Sequence, residues 1–362
     1  MRLKLPLTRL ATLATTILLT PSFIYSQNHA PTFTPQNSGT TATLIGISPV
    51  DSKVVWASGT GGTFVVTTDG GTHWHAGVVP GAEGLQFRDV QGISDKVAYL
   101  LSIGTGTDSR IYKTTDGGAT WSLVFTNQNP DGFYDCFAFW NSKRAVVMGD
   151  SINGRFPILR TTDGATFQDI GDNVPPALPG EAGFASSGTC ITAQGGKRAW
   201  FTTGGATPAR VIATTDGGDT WNAYPTPLVS GPPSGGFSIA FRDARHGILG
   251  GGDLSNPTGV SNNFARSSDG GATWELATPA PINEAIFGVA YVPGAGDAGI
   301  GSDNRAGHTI VATGRKGTAW SPDEGDTWVA LPDLIGYWTV AFANPKAGWL
   351  AGMNGQIVKV SF

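Results

Sequence analysis

The chain reads as an all-β protein, a seven-bladed propeller of four-stranded antiparallel blades. One short motif recurs six times: Thr67-Thr-Asp-Gly-Gly-Thr-His-Trp74, Thr114-Thr-Asp-Gly-Gly-Ala-Thr-Trp121, Thr161-Thr-Asp-Gly-Ala-Thr-Phe167, Thr214-Thr-Asp-Gly-Gly-Asp-Thr-Trp221, Ser267-Ser-Asp-Gly-Gly-Ala-Thr-Trp274 and Ser321-Pro-Asp-Glu-Gly-Asp-Thr-Trp328. Its aspartates, Asp69, Asp116, Asp163, Asp216, Asp269 and Asp323, are spaced by 47, 47, 53, 53 and 54 residues. A period of that size marks a repeat architecture. The third observation is what lies between the boxes: short β-branched and aromatic runs separated by glycine and proline.

Each box predicts a hairpin. Asp-Gly-Gly is a tight-turn signal, because glycine reaches positive φ without steric cost. The aspartate can accept hydrogen bonds from backbone N–H groups across the turn, and the Trp (Trp74, Trp121, Trp221, Trp274, Trp328) opens the next strand as an apolar plate. A β-branched run such as Phe64-Val65-Val66 or Arg210-Val211-Ile212 precedes the box. Upstream lies a second strand, as in Val54-Val-Trp-Ala-Ser-Gly59 and Ala347-Gly-Trp-Leu-Ala-Gly352, and before it a third, as in Phe87–Val90, Cys136–Phe139 and Trp338–Phe342. With the strand after the box this makes four per unit, the content of a propeller blade. Six units carry a box. A seventh begins near Tyr337 and has three strands by Phe362, so its outer strand is expected from the N-terminus, where Pro31-Thr-Phe-Thr-Pro35 resembles a box end. Pairing the two ends would close the ring and leave no open edge.

Residues 1–26 read as a secretory signal: basic Arg2, Lys4 and Arg9, an apolar Leu10–Leu19, and a cleavage site at Ile24-Tyr25-Ser26. The apolar run is short for a membrane span, and no other long apolar run occurs, so residues 27–362 are expected as a single secreted or periplasmic domain and a monomer. Removing the three basic residues leaves 20 Lys and Arg against 27 Asp and Glu, a charge of −7, which argues against nucleic acid as a partner.

The boxes resemble the Asp-box, or bacterial neuraminidase repeat, pattern Ser/Thr-x-Asp-x-Gly-x-Thr-Trp. The Asp163 box is shortened and ends in Phe167, and His73 stands where that pattern has Thr. Over residues 30–362 the layout also resembles the photosystem II stability/assembly factor family of seven-bladed propellers. The segments Phe133-Tyr-Asp-Cys-Phe-Ala-Phe-Trp140, Gly154-Arg-Phe-Pro-Ile-Leu-Arg160 and Pro175-Pro-Ala-Leu-Pro-Gly-Glu181 look like its non-photosynthetic bacterial branch. The resemblance implies a protein-binding, assembly-type role.

Residues that could carry chemistry are few. His73 and His75 flank Trp74 on an outer strand and read as solvated rather than as metal ligands. The extra acids of Asp216–Asp219 and Asp323–Asp326 suggest calcium loops, but the box recurs without them, so no metal is expected. Gly294-Ala-Gly-Asp-Ala-Gly299 fits a dinucleotide pattern by letter only, since no helix pattern follows it; it reads as a loop, and no cofactor is expected.

Cys136 and Cys190 each lie eight residues before an equivalent strand start, Arg144 and Arg198, so they share one register on the inner strands of adjacent blades. Gly46, Asp89, Ser238 and Thr339 are the equivalents in other blades. An exported protein can join such cysteines, if the blades are close enough, and otherwise holds free channel thiols. One register earlier come Arg88 and Asp135, read either as an inter-blade ion pair or as a charged channel mouth.

In box propellers the binding face lies opposite the box turns. Here the loops of that face are 127–132, 149–156, 172–183, 229–236 and 252–263, and with the adjoining strand start they hold Asp131, Tyr134, Asp150, Arg155, Glu181 and Asp253. Arg155 is expected near Asp150 and Glu181, either to hold an anionic group or to bridge the two carboxylates. Two functions compete. One is a non-enzymatic binding propeller for a protein or polysaccharide. The other is a glycoside hydrolase of sialidase or endoglucanase type, with Asp135, Asp150 and Glu181 as candidate carboxylates. The early Arg-Ile-Pro motif of sialidases is absent, and Arg155-Phe-Pro157 is a poor match in the wrong blade.

Overall fold

The computed structural model describes residues 30–260, 262–294 and 307–362. Residues 1–26, expected above to be a secretory signal, and all of the Gly294–Gly299 run except its first residue, lie outside them. Seven four-stranded antiparallel sheets follow one another along the chain. Blade one is Leu44–Pro49, Val55–Gly59, Thr63–Thr67 and His75–Val78, from the channel outward. The inner strands of blades two to six are Gln86–Gly92, Tyr134–Phe139, Ile191–Gln194, Ser234–Phe241 and Gly288–Tyr291. Blade seven is Tyr337–Asn344, Ala347–Gly352 and Gln356–Ser361, completed on its outside by Thr32–Asn37. That last pairing runs antiparallel from Thr32 opposite Ser361 to Asn37 opposite Gln356.

Antiparallel order fixes the faces. The turn after each innermost strand and the turn before each outermost strand lie on one face. The middle hairpin and the link to the next blade lie on the other. All six boxes are turns of the first kind.

Their chemistry repeats. In the second box Thr114 Oγ1 donates to Asp116 Oδ1 (2.8 Å), which also accepts the Thr120 N–H (2.9 Å), while Thr120 Oγ1 donates to Asp116 Oδ2 (2.6 Å). The Asp216, Asp269 and Asp323 boxes make the same bonds. In the first box His73 Nδ1 takes the place of the Thr hydroxyl, 2.7 Å from Asp69 Oδ2. The shortened third box keeps the clamp through the N–H groups of Ala165 and Thr166, both 2.8 Å from Asp163 Oδ1.

Blades are tied edge to edge by aromatic side chains with a polar tip, which pack an apolar body and still satisfy their donor. Trp56 Nε1 donates to Ser94 O of the next blade (2.9 Å), Tyr99 OH to Gly164 O (3.0 Å) and Trp200 Nε1 to Gly270 O (2.7 Å). Trp56 and Trp200 are buried. The extra box acids also bridge blades: Asp219 pairs with Arg160 (2.6 Å) and Asp326 with Arg266 (2.7 Å). Gln36 on the N-terminal strand accepts from both Trp349 of its own blade (3.2 Å) and Trp74 of blade one (3.1 Å), and donates to Gly70 O (3.2 Å). Among the described residues no helix is long and apolar enough to cross a membrane.

Candidate functional site at the channel mouth

Five of the seven inner strands carry an irregularity at the same place. The ladder skips one residue between Leu44 and Gly46, Phe87 and Asp89, Tyr134 and Cys136, Gly236 and Ser238, and Tyr337 and Thr339. A bulge leaves the extra residue out of the pairing and re-aims its side chain. The residues left out are Ile45, Arg88, Asp135, Phe237 and Trp338. Four of these, all but Ile45, line one cavity of about 370 Å³ at the channel mouth on the face opposite the boxes.

Aromatic rings build one side of that mouth. Phe184 stacks on Phe237 at 4.1 Å, Phe237 lies parallel to Phe287 at 5.9 Å, and Phe287 meets Trp338 at 5.2 Å. Two guanidinium groups approach Trp338, Arg88 at 5.3 Å and Arg315 at 5.6 Å from the ring centre, a cation–π arrangement. Arg315 also lies over Phe287 and pairs with the buried Glu284. Arg88 Nη1 donates to Ala185 O (2.7 Å). Burial pushes the Arg88 guanidinium below its ordinary value, and Asp135 opposes that shift.

Opposite the rings sit two carboxyls. Asp135 is 1 % exposed. Burial raises it well above the ordinary carboxylate range, and the charge of Asp150 and a hydrogen bond with that carboxyl raise it further. Asp150 is likewise raised, first by burial. Like charges close together in a low-dielectric site oppose each other's ionisation, so each carboxyl favours the neutral form of the other. Arg88 and Asp135 make no direct ion pair; Arg88 is turned to the Ala185 carbonyl and to Gln86 instead. Four buried polar atoms around the mouth have no protein partner: Arg88 Nε, Asp135 Oδ2, Glu284 Oε2 and Trp338 Nε1.

The floor is the segment from Gly183 to Thr189. Blade four's inner strand begins only at Ile191, and the residues before it span the channel. They touch blade three at Asp150 and Asp135, blade two at Arg88, and blades five and six at Ser238 and Phe287. Gly183–Ser186 face the mouth, whereas Ser187–Thr189 face a second chamber of about 590 Å³ on the box side. Behind the segment, Cys190 is bonded to Cys136 across the two blades, with a Cα separation of 6.1 Å.

The other residues singled out from the sequence lie elsewhere. Arg155 does not meet Asp150 or Glu181. It is held within its own blade by Asp169 (2.9 Å) and Asp172 (2.6 Å), near the outer strand. Glu181 is buried and bound to Arg210 and to Thr203 Oγ1 (2.6 Å). Tyr134 is buried edge-on against Phe125. Asp253 caps its own turn through Ser255 (2.6 Å), and Asp131 is exposed on the link to blade three. Among the described residues no group of three or more His, Cys, Asp or Glu is arranged for a metal. Sequence reasoning missed Phe184, Phe237, Phe287, Arg315, Trp338 and Glu284. Phe237 and Trp338 precede Ser238 and Thr339 just as Arg88 and Asp135 precede Asp89 and Cys136, and that offset was the available signal.

No protein-family description and no curated protein matches the chain. Solved structures do. YCF48 bound to a D1 peptide is 17% identical, covering 91% of this chain and 97% of its own, with a TM-score of 0.56. YCF48 from Cyanidioschyzon merolae is 17% identical over 91% and 98%, with a TM-score of 0.59. A GH74 xyloglucanase from Xanthomonas campestris is 13% identical, TM-score 0.58, covering 90% of this chain and 53% of the enzyme. At these identities, what the chain shares with YCF48 and with the xyloglucanase alike is the β-propeller fold.

Proposed function

We propose that the chain is an exported, non-enzymatic binding propeller of the Asp-box type, which recognises a protein or polymer partner through the channel mouth opposite the boxes. The observation that carries this reading is the convergence there of Arg88 and Trp338 from inner-strand bulges, Arg315 from the middle hairpin of blade six, and the aromatic row that ends in Trp338. Aromatic and arginine side chains are the types that anchor interfaces. The likeness to YCF48, one structure of which holds a D1 peptide, supports a protein partner. Residues 1–26 and the Cys136–Cys190 bond support an oxidising compartment outside the cytoplasm.

The second reading, a glycoside hydrolase, draws on the two carboxyls in the mouth and on the xyloglucanase likeness. The carboxyl geometry weighs against it. Two-carboxylate glycosidases hold these groups about 5–9.5 Å apart on either side of the scissile bond. Glu181, the third candidate, is buried, bound to Arg210 and absent from the cavity that Asp135 and Asp150 line.

Capture from the envelope fraction of the source organism, with wild type beside Trp338→Ala and Arg315→Ala, tests the binding reading. Loss of a specific partner in both variants, with melting temperatures close to wild type, supports it. Unchanged capture moves the site elsewhere. Release of reducing sugar from a glycan panel by wild type, lost in Asp150→Asn, would establish the hydrolase instead.

A further inference from the structure

The sequence contains two Asn-Gly steps, Asn153-Gly154 and Asn354-Gly355, in the middle hairpins of blades three and seven. Their backbones are alike. Asn153 and Asn354 have φ of 52° and 54°, and the glycines after them 81° and 70°. Two successive residues at positive φ suit Asn-Gly, the dipeptide that adopts that conformation most readily. Both asparagines are exposed.

Their surroundings differ. Gly355 is buried against residues 38–43: its N–H donates to Ala42 O (2.8 Å), and a Cβ on it would run into Thr40 O. Gly154 is exposed, a Cβ on it would meet nothing within 4 Å, and its N–H has no acceptor among the described residues. Its turn also reaches past the sheet. The ladder between Ala145–Gly149 and Ile158–Thr161 ends with Met148 opposite Ile158. Beyond it the tip is closed by Ile152 and Arg155, whose N–H groups donate to each other's carbonyls (2.8 and 3.1 Å). The Ala177 N–H donates to Gly154 O (2.8 Å), so the contact made by Gly154 leaves its nitrogen unengaged.

We propose that Asn153 is a self-modifying site, where the chain converts to aspartate and isoaspartate without an enzyme, and that the setting of Gly355 protects Asn354 from the same reaction. The Gly154 nitrogen attacks Asn153 Cγ, and a C–N bond forms. The bond from Cγ to the side-chain nitrogen breaks, and ammonia leaves with the proton of the Gly154 N–H. The product is a five-membered cyclic imide. Water then opens it. Attack at Cγ leaves aspartate, and attack at the main-chain carbonyl leaves isoaspartate, with the chain running through Cγ. Glycine favours the first step because no Cβ crowds its nitrogen. At Asn354 the equivalent nitrogen is engaged by Ala42 and covered, so its turn must open before it can react. Either product at position 153 adds a carboxylate to the face that holds the channel mouth. Isoaspartate also lengthens the main chain by a methylene between Ile152 and Arg155, so that their two bonds no longer both close.

Incubation of the folded full chain in mildly alkaline buffer tests this. Trypsin separates the two steps into Ala145–Arg155 and Ala347–Lys359, and mass spectrometry reads the conversion of each. In the folded chain Asn153 should convert about tenfold faster than Asn354, the factor that a typical hydrogen bond at the Gly355 N–H provides. In urea the two rates should converge, because both steps are then the same dipeptide in an open chain. The product at position 153 should accept a methyl group from an isoaspartyl methyltransferase, which leaves ordinary aspartate unlabelled. Equal rates in the folded chain, a faster Asn354, or an Asn153 that reacts only in urea overturns the proposal.

Discussion

Asp69 and Asp116 are held near pKa 2, the first chiefly by the His73 N–H and the second chiefly by the Thr120 hydroxyl, against an ordinary value of 3.8. Asp163 is lowered further by the Thr166 and Ala165 N–H groups. A depressed folded-state pKa contributes stability above the unfolded value and loses it as pH falls through the folded one. Stability should therefore decline from just below pH 4 through about pH 2, and Asp116→Ala should flatten that part of the acid-unfolding curve followed by circular dichroism. Asp89, Asp135 and Asp150 carry the opposite sign, since burial raises them. Their contribution is complete at low pH and shrinks as pH rises through their folded values. Trp56 tests a different contact. Trp56→Ala removes a fully buried ring and should cost ~3–5 kcal/mol in denaturant melts. Trp56→Phe keeps most of the ring but leaves Ser94 O without its donor, a loss of about 1 kcal/mol. The box chemistry was legible in the sequence because it is local, each clamp lying within eight residues. Arg155 was misplaced because chain order assigns a loop to a face but not to a distance from the axis. Its true partners, Asp169 and Asp172, stand 14 and 17 residues downstream in the same blade.

At the scale of strands and blades, register carried more information than residue type. Aligning the blades from Cys136 and Cys190 put Arg88 and Asp135 at one offset, and the repeated bulge explains why that offset faces the mouth. The same alignment held Phe237 and Trp338, but aromatics in a β-rich run look like core, and only the skipped pairing separates them from it. Arg315 and Glu284 come from a middle hairpin and an inter-blade link, where no periodic pattern places a side chain. The N-terminal strand can be tested at this scale. Gln36→Ala removes acceptor contacts to two tryptophans and a donor contact to Gly70, and should lower stability by about 1–3 kcal/mol. Removing residues up to Asn37 bares the edge of Gln356–Ser361, and size-exclusion chromatography should then show self-association.

For the whole ring, the disulfide closes a span of 54 residues that includes most of blade three and the entry to blade four. Constraint of the unfolded chain over such a loop stabilises by ~2–4 kcal/mol. Cys136→Ser with Cys190→Ser should melt lower by that amount, and dithiothreitol should lower the wild type but not the double variant. An equal response of both chains to the reductant would place the effect elsewhere. The propeller as a whole was readable because seven similar units repeat the same instruction. The floor of the channel was not, because there blade four departs from the repeat, and a departure from a pattern carries no address of its own.

The clasp between Thr32 and Ser361 sets an order of events during biosynthesis. Every other strand of the ring finds its neighbours within its own blade soon after it is made, but Thr32–Asn37 has none until Gln356–Ser361 has emerged. At about 5–20 residues per second, the interval between these two positions is roughly 15–65 s. Through that time the early strand waits while six blades assemble beside it. Closing the ring is thus a meeting of an early and a late part of the chain, and a chain without Gln356–Ser361 would be left as an arc instead of a circle.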